Sequence, residues 1–190
     1  MAVVSTPRDV TDELAWETLE RSVAYSCAGF DVRNERVRFP DGTDAEFDYL
    51  AEGESVVVLP LTPDGDVVVI EEWRQAVGRV NRGLPAGSME SDDAGPEVAA
   101  RRELAEETGY EAGSLEHLTT VEPANGFADA VFHYFVARDC EQTAQQDLDD
   151  NESIRVATTT LDELLDAARE DELRDGRTVT GVLYYALFER

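Results

Sequence analysis

The chain has no lysine. All 16 basic residues are arginine, and against 42 acidic residues they leave a formal net charge of −26. That balance argues against nucleic-acid and anionic-membrane partners, both of which call for a basic patch. An acidic, lysine-free surface suits a salt-rich cytosol, where screening relieves self-repulsion. A salt-loving source is therefore expected, with an ordinary acidic protein as the competing reading. Cysteine is scarce too: Cys27 and Cys140 are the only two, far apart and without metal-ligand spacing. They read as free thiols in a reducing cytoplasm rather than a disulfide scaffold. No apolar run approaches the ~20 residues of a membrane span. The N-terminus lacks the basic start and apolar stretch of a secretory signal. The 2 histidines, His117 and His133, lie in strand-like runs and are treated as structural.

What is present is enough, at 190 residues, for a substantial core: one compact domain with an N-terminal elaboration. The stretch from Met1 to about Arg21, which carries Trp16, is expected to hold a short helix. Ser22–Phe30, Arg33–Phe39 and Glu46–Ala51 read as strands, with a turn at Pro40-Asp41-Gly42, and together make a small β-rich unit over residues 1–53. Ser55–Leu61 and Asp66–Glu72 are β-branched runs around Thr62-Pro63-Asp64-Gly65, which reads as a hairpin. Their near-continuous apolar character implies strands covered on both faces. Leu115–Glu122 and Ala130–Arg138 follow as strands, Asp139–Glu152 as a long mobile acidic loop, and Ser153–Ala157 as a short strand. Thr160-Leu161-Asp162-Glu163 has the form of a capping box for a helix to about Leu173, and a last amphipathic helix spans about Thr178–Phe188. Strands mixed with helices in this way predict an α/β sandwich.

The chain is organised around Leu84–Tyr110, LPAGSMESDDAGPEVAARRELAEETGY. Pro96 suits a first helical turn and Gly109 the residue past the end, with good helix formers between. On that helix Glu103 and Glu107 are four residues apart and share a face, with Glu106 beside them. Like charges so placed weaken a helix unless a cation bridges them, and oxygen-only ligands suit Mg²⁺ or Mn²⁺. The loop Pro85-Ala86-Gly87 can bring backbone groups to the same ion. From the helix alone, a solvated acidic face would read the same way.

Arg102-Glu103-Leu104-Ala105-Glu106-Glu107-Thr108-Gly109-Tyr110 resembles the second half of the Nudix box, the signature of hydrolases of nucleoside diphosphates linked to a further moiety. From Gly87 the first acidic position of the box is Asp93, and eight residues, not seven, separate it from Arg102. We read a one-residue insertion near Asp92–Gly95, which leaves the helix in register. The resemblance extends to the ADP-ribose (ADP-sugar) pyrophosphatases of that family. Glu72-Trp73-Arg74 stands where they have Gln-aromatic-Arg, and Leu84-Pro85-Ala86-Gly87 follows, with Gly83 in place of a common Glu. Glu122–Asp129 is similar to their Pro-Gly-Phe-x-Asp loop, with two extra residues after Pro123 and Ala130 in place of a following acid. Asp150-Asn151-Glu152-Ser153-Ile154 resembles the loop that supplies a further catalytic carboxylate.

The resemblance implies a Nudix-type α/β/α sandwich with a mixed sheet over 54–190 and an N-terminal unit that dimerises. It implies two or more Mg²⁺ or Mn²⁺ ions held by Glu103, Glu107, Glu106 and the Ala86 carbonyl. Glu152 is the first choice as general base, delivered by its loop, with Asp150 second and Glu106 also able to receive a proton; a solvated loop acid is the alternative. Arg74, a planar donor fork, is the expected partner of the diphosphate, unless it is only an ion pair at a strand end. Pro123 belongs to the substrate loop. Trp73, Trp16 and Tyr25 can stack on adenine, though each such residue more often serves a core or an interface. Gly87, Asp93, Arg102 and Gly109 are read as structural, with Arg102 holding the acidic loop or a box glutamate in place. Three functions stay open: hydrolysis of ADP-ribose or a related ADP-sugar to AMP and a sugar phosphate, hydrolysis of another nucleotide sugar or a dinucleoside polyphosphate, and nucleotide binding without cleavage.

Overall fold

A computed structural model describes residues 12–27, 29–149 and 152–190. It divides into two compact units, one running through Glu52 and taking in Ala124–Ala130, the other formed by Gly53–Pro123 and Val131–Arg190.

The first unit is an antiparallel sheet, β1 (Glu17–Ser26), β2 (Asp31–Arg38) and β3 (Asp44–Ala51), in the order β1-β2-β3. The helix expected before Arg21 is not found over the described residues, where a short turn precedes β1; Met1–Thr11 lie outside them. Pairing with β2 over Glu17–Ser26 satisfies the backbone there. The strand expected over Ser22–Phe30 thus starts earlier and stops at Ser26. Central on β2, the buried Glu35 accepts from Thr18 Oγ1 (2.9 Å), Arg21 Nε (2.6 Å) and Tyr49 Oη (3.1 Å). Trp16 packs edge-on against Phe39 and Phe47, so its ring serves the packing of this unit.

The second unit contains two sheets and three helices. The mixed sheet orders β7 (Ala86–Ser88), β4 (Glu54–Pro60), β9 (Val131–Gln142) and β8 (Tyr110–Val121), with β4 and β9 parallel and the other pairs antiparallel. The second sheet is β10 (Ile154–Thr159), β5 (Val67–Arg74) and β6 (Arg79–Gly83), all antiparallel. The helices are α1 (Pro96–Thr108), α2 (Leu161–Arg169) and α3 (Gly176–Phe188).

The hairpin expected of β4 and β5 does not form. Its turn does: the Thr62 amide donates to Asp66 O, the Gly65 amide to Thr62 O, and Leu61 bridges Val67. The strands then part into different sheets. Both are apolar on both faces, and a two-stranded ribbon would leave one face wet. Placed in separate sheets, both are covered. Val56 and Val58 point to α1, with Ala99, Ala100, Leu104, Phe135 and Cys140. Val57 and Leu59 point the other way, to Val67 and Val69 of β5 and to Leu164 and Val182 of α2 and α3. The expected coverage on both faces is therefore found, in an α/β sandwich with a mixed sheet.

Strand β9 runs on to Gln142, where a loop was expected from Asp139, because its last residues pair with Tyr110–Ala112 of β8. Helix α2 has its capping box at Thr160 and Glu163 but ends at Arg169, short of Leu173. Asp171 adopts φ 59, the left-handed conformation that closes a helix, and the Glu172 and Leu173 amides turn back to Ala167 O. Cys27 and Cys140 are both free, and no described helix is long and apolar enough to cross a membrane.

Candidate active site

Helix α1 forms where its end signals place it. Pro96 opens it, and Gly109 closes it at φ 73 with its amide on Ala105 O. On the side of α1 facing β7, Glu103 is 8% exposed and Glu107 is 2% exposed, so the solvated-face reading does not hold. Burial is the main cause of their raised pKa values, to about 7 for Glu103 and about 8 for Glu107. Each also feels the charge of Glu152, and Glu107 feels those of Glu103 and Glu72.

The Ala86 amide donates to Glu107 Oε2 at 2.8 Å. A side chain on Gly87 would overlap the Glu103 carboxylate, so this carboxylate rests directly on the backbone of β7. Glycine is required there by contact, not by dihedral angle.

Arg102 gathers the rest. One nitrogen donates to Glu103 Oε1 (2.8 Å) and Glu106 Oε2 (2.9 Å), while Nε and Nη2 hold Asp93 at 3.3 and 2.9 Å. Asp93, despite its shorter side chain, does reach Arg102. The inserted residue is taken up in a turn in which the Glu90 amide donates to Asp93 Oδ2 and the Asp93 amide to Glu90 O. Hydrogen bonding to Arg102 holds the Asp93 carboxyl below the usual range, and Asp93 in turn raises Arg102.

Arg74 ends β5 and pairs with Glu72 Oε2 at 2.7 Å. Glu72, 8% exposed, has its pKa raised by burial and lies in the fields of Arg74, Arg177, Glu152 and Asp175. The sequence reading placed Glu72 only as a stand-in for Gln; its position opposite Ile154 on β10 is what brings it to the loop of Glu152. Gly83, where a Glu was missing, lies against Thr178 of α3 and Asp175, the N-cap of that helix, so polar groups from a distant helix start fill that place. The only advance signal was Asp175 as an N-cap residue three before Thr178.

The structure thus brings together Ala86, Gly87, Asp93, Arg102, Glu103, Glu106 and Glu107, with Glu152 in their field and Arg74 joined through Glu72. Trp73 is exposed, its indole donating to Gln75 Oε1 at 2.9 Å, and Pro123 is exposed in the turn after β8. No described hydrogen bond or ion pair ties either to the carboxylates. Asp150 lies outside the described residues.

Such a box of buried glutamates on a capped helix can be compared with known proteins. The chain is 30% identical over 174 residues to an ADP-ribose pyrophosphatase of Bacillus subtilis (strain 168), covering 91% of this chain and 94% of that protein. It is equally similar, 30% over 174 residues with the same coverages, to a methanol dehydrogenase activator of Bacillus methanolicus. A solved ADP compounds hydrolase superposes with a TM-score of 0.78 at 20% identity, covering 90% of this chain and 92% of that one, a likeness of fold. The profile of the NUDIX domain matches residues 52–179, which contain every element of the site, and on that match the chain belongs to the Nudix family.

Proposed function

We propose that this chain hydrolyses the diphosphate bond of ADP-ribose or a related ADP-sugar, releasing AMP and a sugar phosphate. The observation that carries the proposal is the burial of Glu103 and Glu107 side by side, with only Arg102 and the Ala86 amide to offset their charge. Burial raises both carboxyls, so further positive charge favours the fully ionised pair at neutral pH.

Their donors are all oxygen, which fits a hard divalent ion, Mg²⁺ or Mn²⁺. Glu103 and Glu107 would hold it, with Glu106 and the Ala86 carbonyl extending the set to two or more ions. Among the described residues no three acidic, histidine or cysteine side chains are already gathered as a ligand cluster, so backbone, water and substrate oxygens complete it. Bound there, the ions neutralise phosphate charge and make water more acidic.

The chain's own groups do the rest. Arg102 orients Glu103 and Glu106 while Asp93 fixes its guanidinium. Arg74 exchanges Glu72 for the diphosphate, to which it offers two parallel donors. Glu152 accepts the proton of the attacking water, with Asp150 as the second candidate in the same loop. Trp73 offers an exposed ring for adenine, and Pro123 opens the substrate loop. We further propose a homodimer built through the N-terminal sheet, a cytoplasmic location and a high-salt environment.

A second reading is nucleotide binding without turnover; the intact Glu103, Glu106 and Glu107 favour hydrolysis. A GDP-mannose pyrophosphatase of Salmonella arizonae is 34% identical over 96 residues, 50% of this chain, which makes GDP-sugars the natural competitors. The test is a panel of ADP-ribose, GDP-mannose and a dinucleoside polyphosphate with Mg²⁺ or Mn²⁺, in dilute and molar salt, with products resolved. ADP-ribose should be cleaved with the highest kcat/KM and yield AMP. Preferential cleavage of GDP-mannose, or binding of ADP-ribose without cleavage, overturns the proposal.

A further inference from the structure

An α-helix leaves its last carbonyls without partners inside the helix. At the end of α1 these oxygens are taken up by the segment that leads into the acidic loop. The Asp147 amide donates to Glu106 O at 2.9 Å, and the Thr143 and Ala144 amides both donate to Gly109 O at 3.0 and 3.2 Å. Between them, Glu107 O receives the side-chain amide of Gln146 at 2.6 Å.

Three of these donors are backbone groups that nearly any residue supplies. Gln146 is the one side chain among them, and its nitrogen also lies 3.5 Å from Ile154 O, at the start of β10. A single amide group therefore spans the helix end and the strand that follows the loop. Gly109 makes the approach possible, since a side chain there would overlap the Ala144 carbonyl.

The loop so stapled carries Glu152, two residues before Ile154, and the charge of Glu152 is felt at Glu103, Glu107 and Glu72. The backbone bonds anchor the loop's first half. Asp149 also holds Glu152 directly, its amide donating to Glu152 Oε2 at 3.2 Å and its carbonyl accepting from the Glu152 amide at 3.0 Å. Among the described side chains, Gln146 is the one that ties this loop both to the helix turn of Glu106 and Glu107 and to the start of β10.

We infer that Gln146 is a positioning residue: its amide sets the placement of Glu152 relative to the buried pair on α1. The inference rests on the proposed role of Glu152 as general base. Gln146 touches no phosphate-binding group, so its loss should leave substrate binding intact. Misplacement of a reacting group by about 1 Å costs roughly 10²-fold in rate. The effect therefore belongs in kcat, not KM.

The test is a double-mutant cycle. Gln146→Glu keeps the shape of the side chain but has no donor for the two carbonyls, and Gln146→Ala serves as a second variant should the first fail to fold. Each is measured for kcat, KM and melting temperature, alone and combined with Glu152→Gln. The expected result is a fall in kcat on the order of 10–100-fold with KM within about twofold, and no further fall when Glu152 is already Gln. If the two losses multiply, or if Gln146 variants keep full kcat while Glu152→Gln is depressed, the positioning role is overturned and the base assignment stands. If Glu152→Gln keeps full rate, the base assignment falls and takes this inference with it.

Discussion

Arg102 meets Asp93, Glu103 and Glu106 with one guanidinium, while the Glu107 carboxylate has, among the described residues, the Ala86 amide alone. That division decides what each carboxylate is free to do. Glu107 is the most buried and the least compensated, and Glu103 shares its cation with a neighbour. Glu103→Gln and Glu107→Gln should each cut turnover by orders of magnitude, because a neutral amide binds a hard cation poorly. Glu107→Gln should melt no lower than the parent in metal-free buffer, since burial already holds that carboxyl mostly neutral and an amide oxygen can still accept from the Ala86 amide. Near-normal turnover in either variant would remove that carboxylate from the metal set. At this scale the four-residue spacing of Glu103 and Glu107 was legible in the sequence of α1, whereas the contact of Gly87 with the Glu103 carboxylate was not, because it depends on how β7 lies against the helix. Glu72 was not, because its burial depends on strand β10, more than 80 positions away in the chain. Whether Asp93 would reach Arg102 was not legible either, because that depends on how the turn from Glu90 absorbs the inserted residue.

Among the elements, the local end signals were the most readable. Thr160 accepts from the Glu163 amide while Glu163 accepts from the Thr160 amide, as the capping box requires. Thr160→Ala should lower stability by ~1 kcal/mol, measured by denaturant unfolding; an unchanged midpoint would mean that the packing of α2, not its cap, holds it. Strand partners were less readable. The turn at Thr62–Asp66 has the chemistry of a hairpin, yet local turn geometry does not say which sheet each strand joins, and burial of both faces decided that. In the N-terminal sheet, Glu35 joins all three strands through Thr18 and Arg21 of β1 and Tyr49 of β3. Burial alone would raise its pKa, but the bonds from Arg21, Thr18 and Tyr49 outweigh it and hold the folded value below the ordinary 4.5. A carboxyl depressed by folding contributes stability above its unfolded pKa and loses it as pH falls through the folded value. The melting temperature should therefore drop on acidification below about pH 4.5, and Glu35→Gln should reduce that drop while lowering stability at neutral pH. An acid limb identical in parent and variant would show that Glu35 contributes nothing to it.

For the whole molecule, the decisive quantity is the net charge of −26. Two electrostatic effects oppose one another as salt is added. Exposed ion pairs such as Arg169–Asp166 and Arg190–Asp162 are weakened, but pairs of this kind contribute only ~0–1 kcal/mol each. The repulsion among the excess carboxylates is weakened as well, and it involves many more charges, since 42 acids face 16 arginines. The partly buried Arg102 network is shielded from either change. Relief of repulsion should win. Screening shortens the Debye length from ~30 Å at 0.01 M to ~3 Å at 1 M, so most of the gain should come in the first few hundred millimolar. A relief of ~3 kcal/mol would raise the melting temperature by roughly 6–12 °C for a chain of this size. Thermal unfolding in a potassium chloride series from dilute buffer to molar salt measures both the size and the shape of the effect. A curve that rises and then flattens is the signature of screened self-repulsion. One that climbs linearly to the highest salt would instead point to exclusion of the salt from the protein surface, and a flat one would remove the salt-loving reading altogether.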